Sequence, residues 1–397
     1  MRIALLCTSG LDNALPRGRL LPLARELAKT GHELHLLLLH PTFDRLRPDE
    51  RTCTRNGVHI AHVAQMHVYG LPGERRYFGT TELIKVSLHA TLALWRACVR
   101  LHPDVIHVCK PQPINGLAGW LAARQLNRPL FVDCDDYEAE ANRTNSAFQR
   151  RMLAWWEDRL PLHARGVTVN TRFLFERCRA MGVPEVRLRY VPNGADALPA
   201  ETSPPAALRH LAGHPIVLYV GTLSIASHAV DLLLDAFAHV EHTLPAAQLV
   251  IVGDGDDRDA LKTRADRLEL RNVHWLGRLS PDEARRCYAA AYCSVDPVRD
   301  TPTMRARSPL KIVESLAAGT PVVTGDVGDR REMLAGGDAG VLVAPNDVRA
   351  LADGILCVLS DTWLRAKLQA GALRQREGYR WDGLAAAWSG IYSCVPT

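Results

Sequence analysis

No run of about 18 apolar residues occurs in the 397-residue chain, which excludes a spanning helix. The densest apolar patch, Leu34 to Leu39, has the length of a strand. The ten cysteines form no C-x-x-C pair and sit mostly in apolar segments, among them Cys98, Cys109, Cys134, Cys293 and Cys357. That pattern excludes a zinc ribbon or a disulfide scaffold and suits reduced, packed thiols of a cytoplasmic protein. Met1-Arg2 leads directly into the apolar Ile3-Ala4-Leu5-Leu6, a buried strand rather than a signal peptide. Low-complexity segments, zinc fingers, recognition helices and aromatic RNA-binding strands are also missing, so nucleic acid is not an expected partner.

What is present suits a soluble globular chain with 47% hydrophobic and 23% charged residues, long enough for two cores. The net charge of +5 is unevenly spread: residues 1–195 carry +9 and residues 196–397 carry −4. A basic half suggests an anionic surface or substrate, such as the inner face of a membrane or a lipid-phosphate acceptor.

Both halves alternate short apolar strands with helices, the pattern of a parallel sheet covered on both faces. Strands are expected at Ile3–Cys7, Glu33–Leu39, Asp104–Val108, Leu130–Asp133 and Gly166–Asn170, with helices at Arg19–Thr30, Leu83–His102 and Gly116–Asn127. The rhythm lapses near Pro199, Pro204, Pro205 and Pro215, then resumes at Ile216–Val220, Gln248–Val252, Val273–Trp275, Cys293–Val295, Pro321–Thr324 and Gly340–Val343. The expected division is therefore 1–194, a linker over 195–215, a second domain over 216–380, and a last helix over 381–397. That helix must bury Trp381, Leu384 and Trp388 against another surface, with the first domain as the expected one.

The segment Ser308 to Gly328 is the most informative. Pro309 opens a helix with Ile312, Leu316 and Ala317 on one side, Gly319 stops it, and Val322-Val323-Thr324 begins a strand. Such a unit sets backbone N–H groups and the carboxylate of Glu314 at the mouth of a parallel sheet. A helix N-terminus there suits a diphosphate, and a glutamate accepts two hydrogen bonds from a ribose diol.

With Val191-Pro192-Asn193-Gly194-Ala195-Asp196, Leu218 to Leu223, Val250 to Gly255 and Trp275 to Leu279, this segment resembles the retaining family 4 glycosyltransferases over nearly the whole chain. The resemblance implies a GT-B fold, two doubly wound parallel-sheet domains facing across a cleft. It also implies sugar transfer from a nucleotide diphosphate donor bound mainly by the second domain to an acceptor bound mainly by the first. No metal or cofactor is expected, so helix N-termini and cations must stabilise the leaving group.

On the donor side the resemblance points to Gly221 and Thr222, to Gly277 and Arg278 for the base, to Ser308, Pro309, Leu310 and Lys311 for the diphosphate, and to Glu314 for the ribose. Gly18 matches the family's glycine loop, with Arg17 and Arg19 as cations beside it. Asn193 and Gly194 form the expected hinge, about which closure would exclude water.

Two departures stand out. The first glutamate of the family's E-x7-E pattern is Ala306 here, and Thr222 and Ser227-His228 replace a usual arginine and Lys-Gly pair. Arg305, Arg307 and Lys311 are expected to compensate. Where relatives often carry a histidine, this chain has Asp135 and Asp136, which would orient an acceptor hydroxyl or take its proton, with Lys110 and Gln112 on the neighbouring strand tip. Asp133-Cys134-Asp135 also has the form of a metal-binding DxD motif, set aside because it belongs to the other glycosyltransferase fold.

His32, His107 and His274 read as structural. The basic stretch bearing Phe148, Trp155 and Trp156, with Arg143, Arg150, Arg151 and Arg159, reads equally as a membrane-surface helix or a packed one. The expected activity is hexosyl transfer to a lipid-linked or cell-envelope saccharide. A nucleotide-sugar epimerase of the same fold and a non-catalytic nucleotide-sugar-binding relative remain open, the latter favoured by Ala306 and Thr222.

Overall fold

The computed structural model describes residues 1–70, 76–141, 146–198 and 203–393; Arg143 and residues 199–202 of the expected linker lie outside them. The chain divides into two compact units. The first holds Met1–Asn193, Ala306–Ser308 and the C-terminal stretch from Trp381; the second holds Gly194–Arg305 and Pro309–Arg380.

In the first unit the chain runs β1 (Arg2–Cys7), α1 (Leu21–Lys29), β2 (Glu33–His40), β3 (Thr52–Arg55), β4 (Val58–Gln65) and a two-residue pair β5 (Val68–Tyr69) and β6 (Arg76–Tyr77). It continues through α2 (Thr80–Leu101), β7 (Val105–Cys109), α3 (Pro113–Leu126), β8 (Leu130–Cys134), α4 (Glu138–Ala141), α5 (Ala147–His163), β9 (Gly166–Val169), α6 (Arg172–Ala180) and β10 (Leu188–Tyr190). The eight-stranded sheet has the order β10-β9-β8-β7-β1-β2-β4-β3. All its pairings are parallel except β3 on β4. Central strands have no solvated face, which explains the unbroken Ile3–Leu6 and Leu36–Leu39 runs. Helix α2 sets Ala90, Leu94 and Cys98 inward at a four-residue spacing.

The second unit contains β11 (Ile216–Val220), α7 (Ile225–His228), α8 (Val230–Thr243), β12 (Gln248–Val252), α9 (Arg258–Arg267), β13 (Val273–Gly277), α10 (Pro281–Ala290) and β14 (Cys293–Asp296). It then contains α11 (Pro302–Arg305), α12 (Leu310–Ala317), β15 (Val322–Gly325), α13 (Arg330–Met333), β16 (Gly340–Val343), α14 (Val348–Ser360) and α15 (Thr362–Gln375). Its six strands are all parallel, in the order β13-β12-β11-β14-β15-β16. A capping box of Ser280 and Glu283 starts α10, and Asp347 and Asp361 cap α14 and α15.

The last helix, α16 (Trp381–Ser393), packs within the first unit. Trp381, Leu384, Trp388 and Ile391 are buried there, and the Trp388 ring stacks on His107 at 4.5 Å between centroids. His107 Nδ1 lies 3.0 Å from the Tyr392 hydroxyl, which also accepts the Trp388 indole N–H at 2.7 Å. Burial pushes the His107 pKa down to about 4, so this histidine is a neutral packing residue. Seven of the nine described cysteines are buried and none forms a disulfide; Cys357, expected to be packed, stands exposed on α14.

Candidate active site

Two polar clusters sit at strand tips, one in each unit. In the first, Asp133 at the end of β8 is fully buried and receives a fork from Arg19, with Nε and Nη2 donating at 3.0 and 2.9 Å. The Thr168 hydroxyl donates to the same carboxylate at 2.7 Å. Arg19 Nη1 donates to the carbonyl of Pro192 and to Asn193 Oδ1, so the guanidinium is fully committed. It joins the sheet tip to the turn at Asn193, whose own N–H and side-chain amide donate to Ser308 Oγ and carbonyl at 3.2 and 2.9 Å. The expectation that Arg19 is a cation available to a donor is therefore corrected: a buried guanidinium needs its carboxylate, and Asp133 holds it. Gly18 likewise lies in a helical turn, Pro16–Leu20, that runs into α1, and not in an open loop. With Asp133 saturated by three donors, the D-x-D triplet does not present a pair of free carboxylates to a divalent ion.

Asp135, Asp136 and Glu138 surround one ammonium, Lys110. Lys110 bonds Asp136 directly, lies 3.1 Å from Glu138 and 3.7 Å from Asp135. Lys110 reaches this position from a left-handed backbone conformation (φ 64°) just past β7. Burial would lower its pKa, but the attraction of Asp136, Glu138 and Asp135 outweighs this and holds it well above the ordinary range. Asp136 is disfavoured by burial yet held low by Lys110 and Arg307, the latter at 3.9 Å. Asp135 lacks so close a cation, and burial pushes its pKa up to about 7 against the pull of Lys110. Its carboxylate accepts from Asn170 Nδ2 at 2.6 Å. The cluster thus contains one carboxyl group poised near neutrality beside one firmly ionised, an arrangement suited to proton transfer.

Of the rest of this network, sequence reasoning placed Gln112 beside Lys110 and left out Thr8 and Glu157. Gln112 links Thr8 to Glu138, and Glu157 on α5 accepts from the backbone N–H groups of Glu138 and Ala139 at 3.2 and 3.1 Å. Burial pushes Glu157 up to about 7 as well. Glu157 lies in an otherwise ordinary helical stretch, so only the packing of α5 against α4 reveals its role.

In the second unit the tips of β11 and β12 carry glycines that touch. Gly253 (φ 137°) donates to the Gly277 carbonyl at 2.7 Å, and a Cβ on it would stand 1.9 Å from the carbonyl oxygen of Gly221. Only glycine permits that approach. Gly221 in turn faces the Lys311 side chain, to which an added Cβ would be in van der Waals contact at 3.4 Å. Lys311 pairs with Asp296 at 3.0 Å, and Arg330 holds the other oxygen of Asp296 at 2.8 Å. Although burial opposes ionisation, Arg330 and Lys311 keep Asp296 well below the usual carboxylate range. One turn further along α12, Glu314 accepts from the Tyr288 hydroxyl at 3.3 Å. No side chain caps the N-terminus of α12 at Pro309.

The structure therefore brings Gly221, Lys311 and Glu314 into one neighbourhood with Tyr219, Asp296 and Arg330. Thr222 and Arg278 are exposed beside it on the tips of β11 and β13. Ser308 belongs to the first unit, and Pro309 and Leu310 begin α12 in the second. Of the cations expected to compensate for Thr222, Arg305 forks onto Asp300 and Arg307 faces Asp136. Lys311 remains beside the glycine tips, joined by Arg330, which the sequence reading missed. Asp296, the polar residue ending an apolar strand, was the available signal for that pair. Elsewhere Glu33, His35 and His59 bring three donor atoms within 4.8 Å, but Arg2 and His35 already engage Glu33.

Two family models match the chain: a glycosyl transferase 4-like domain over residues 17–194 and glycosyl transferases group 1 over residues 214–361. The phosphatidyl-myo-inositol mannosyltransferase of Mycobacterium leprae is 30% identical over 299 residues, covering 74% of each chain. The D-inositol 3-phosphate glycosyltransferase of Xylanimonas cellulosilytica is 26% identical, covering 94% of this chain and 90% of the relative. Among solved structures, sucrose-phosphate synthase from Thermosynechococcus elongatus superposes with a TM-score of 0.76 at 19% identity, covering 99% of this chain and 98% of the other. Anabaena HepE, solved with UDP and glucose, gives 0.73 at 19%, covering 99% of both. These structures share the fold of the two units, and by sequence the chain belongs to the family 4 glycosyltransferases of GT-B fold.

Proposed function

We propose that this member of the family moves a hexose-type sugar from a nucleotide diphosphate donor to a saccharide or lipid-linked acceptor, with retention of configuration and without a metal. The observation that carries the donor half is that the Lys311 side chain, on the uncapped first turn of α12 and one turn before Glu314, lies against Gly221 at the tip of β11. Departure of the diphosphate breaks the bond between its oxygen and the anomeric carbon, and negative charge grows on that oxygen. The Lys311 ammonium and the N–H groups of α12 would stabilise that charge, while Glu314 would hold the ribose. As the acceptor oxygen bonds to the anomeric carbon, its hydroxyl proton would pass to Asp135, whose raised pKa suits a base at neutral pH. Lys110 and Asp136 would fix the orientation of the acceptor.

A lipid-linked acceptor is supported by the inositol-lipid mannosyltransferases among the relatives. It is also supported by α5, where Phe148, Met152 and Trp155 are exposed beside Arg150 and Arg151, a composition suited to the anionic inner face of a membrane.

A thermal-shift series with UDP, GDP, ADP and dTDP and their sugars tests the donor site. One nucleotide should raise the midpoint in a concentration-dependent way, and Glu314→Ala should abolish the rise without unfolding the protein. No response to any nucleotide from well-folded protein would reject a working donor site and favour the non-catalytic reading.

A further inference from the structure

At the outer edge of the first unit's sheet, α2 and the β3–β4 edge line an open pocket of about 340 Å³. Its walls carry Arg51, Arg96, Arg100, His62 and His89, with Phe43 and Leu92 as apolar lining. Three guanidinium groups gather at this one pocket, Arg96 and Arg100 exposed and Arg51 half-buried, beside a His62 ring that burial keeps neutral. Among the described residues, however, Arg51, Arg96 and Arg100 make no ion pair. The carboxylates of the adjoining loop are engaged elsewhere: Asp49 and Glu50 face Arg47, and Asp44 accepts from the Tyr69 hydroxyl. Arg51 instead lies over the Phe43 ring at 4.5 Å.

Buried polar atoms without partners lie beside these guanidinium groups. Among the described residues, neither ring nitrogen of His62 nor Nε of Arg51 has a hydrogen-bond partner, although all three atoms are shielded from solvent. A buried polar atom left unpaired is costly, so such a group implies a partner that completes it. The partner must be anionic, rich in acceptor oxygens and compact enough to meet several guanidinium forks at once. A phosphate group has that chemistry, and arginine is the side chain best matched to it.

We propose that this pocket binds a phosphate group, at a site made wholly by the first unit and sharing no side chain with the sugar-transfer machinery. Its volume leaves room beside the phosphate for the organic part of a phosphoester, which would rest on Leu92 and Phe43. Ile84 and Leu88 continue the exposed apolar row of Leu92 along α2, which gives a lipid-borne phosphate a place for its first carbons.

The test uses the full chain and the double variant Arg96→Glu/Arg100→Glu, both positions being exposed and tolerant of charge reversal. Inorganic phosphate and glycerol 3-phosphate are titrated calorimetrically at constant ionic strength, and phosphatidylglycerol and phosphatidylcholine vesicles are compared by co-sedimentation. Binding weakened at least tenfold in the double variant, and unchanged in Lys262→Glu/Arg267→Glu, two exposed cations of α9 in the second unit, supports the site. Tight binding of the soluble probes identifies a free phosphoester; retention only by phosphatidylglycerol vesicles identifies a lipid headgroup. In the unmodified protein, the ring proton resonances of His62, assigned by their loss in His62→Gln, should move when the preferred probe is added. Equal affinity in wild type and Arg96→Glu/Arg100→Glu, no binding of any probe, or an unmoved His62 resonance would each overturn the proposal.

Discussion

Asp135 and Arg19 show how strongly a single residue's role depends on what surrounds it. In an unfolded chain Asp135 ionises near the ordinary aspartate value, whereas in the folded unit burial raises it to about 7. Between those values the native state holds a proton that the unfolded chain has lost, so this residue's contribution to stability declines as pH rises toward 7 and then levels off. Asp135→Asn removes the titration. The variant should match the wild type near pH 4 and gain on it by on the order of 3 kcal/mol at pH 8, while sugar transfer falls sharply. Denaturant melts of both proteins from pH 4 to pH 8 would show this; a difference independent of pH would mean that Asp135 is ionised throughout. Arg19→Met should instead destabilise the first unit by about 3–5 kcal/mol, because Asp133 is left charged, buried and short of its main partner. Arg19→Lys should rescue little of that loss, since an ammonium cannot make the fork that Nε and Nη2 make.

Among the elements, the paired strand tips and the last helix carry the most consequence. At the tips of β11 and β12, Gly253→Ala would drive a methyl to within 1.9 Å of the Gly221 carbonyl oxygen. The two loops must then part, carrying Gly221 away from Lys311. Nucleotide-dependent stabilisation should fall at least tenfold in apparent affinity while the far-UV spectrum stays native; an unchanged affinity would show that the tips do not position the donor groups. Helix α16 fills the first unit with Trp388, whose ring lies on His107 and beneath Arg19, 5.4 Å from the guanidinium carbon. Trp388→Ala should cost about 3–5 kcal/mol, as for other large aromatic truncations in packed cores, and urea unfolding would measure it.

Across the whole molecule, each unit owns its own apolar clusters, so two unfolding transitions are expected in calorimetry. A bound nucleotide should raise the transition of the second unit, and removal of residues 381–397 should lower that of the first. Calorimetry of the full and shortened chains with and without nucleotide would assign both; a shortened chain with its first transition unmoved would refute the packing of α16.

Much of the fold was legible because a parallel strand buried on both faces leaves an unbroken apolar run. Strands β11 and β12 followed from such runs, and α12 from its periodicity and its Pro309 and Gly319 ends. Strands β3 and β4 escaped notice because Thr52–Arg55 is a polar edge and Val58–Gln65 is interrupted by three residues of intermediate exposure. At the site, Glu314, Lys311 and the Asp135-Asp136 pair were readable because polar residues at strand tips and helix starts have a local reason to be there. Glu157, Arg330 and the saturation of Arg19 were not, since each depends on a partner far along the chain.

The sequence by itself therefore determined the alternation of strands and helices, the glycine-bearing tips and the family, because these rest on local periodicity and short motifs. Tertiary structure alone decided which charges are spent and which remain for chemistry. Arg19 is taken by Asp133, 114 residues away, while Asp135, two positions beyond it, has no comparable partner and keeps a proton near neutral pH. Pairing of buried charges over such separations is set by the packing of β8 against its neighbours, and no local pattern of residues encodes it.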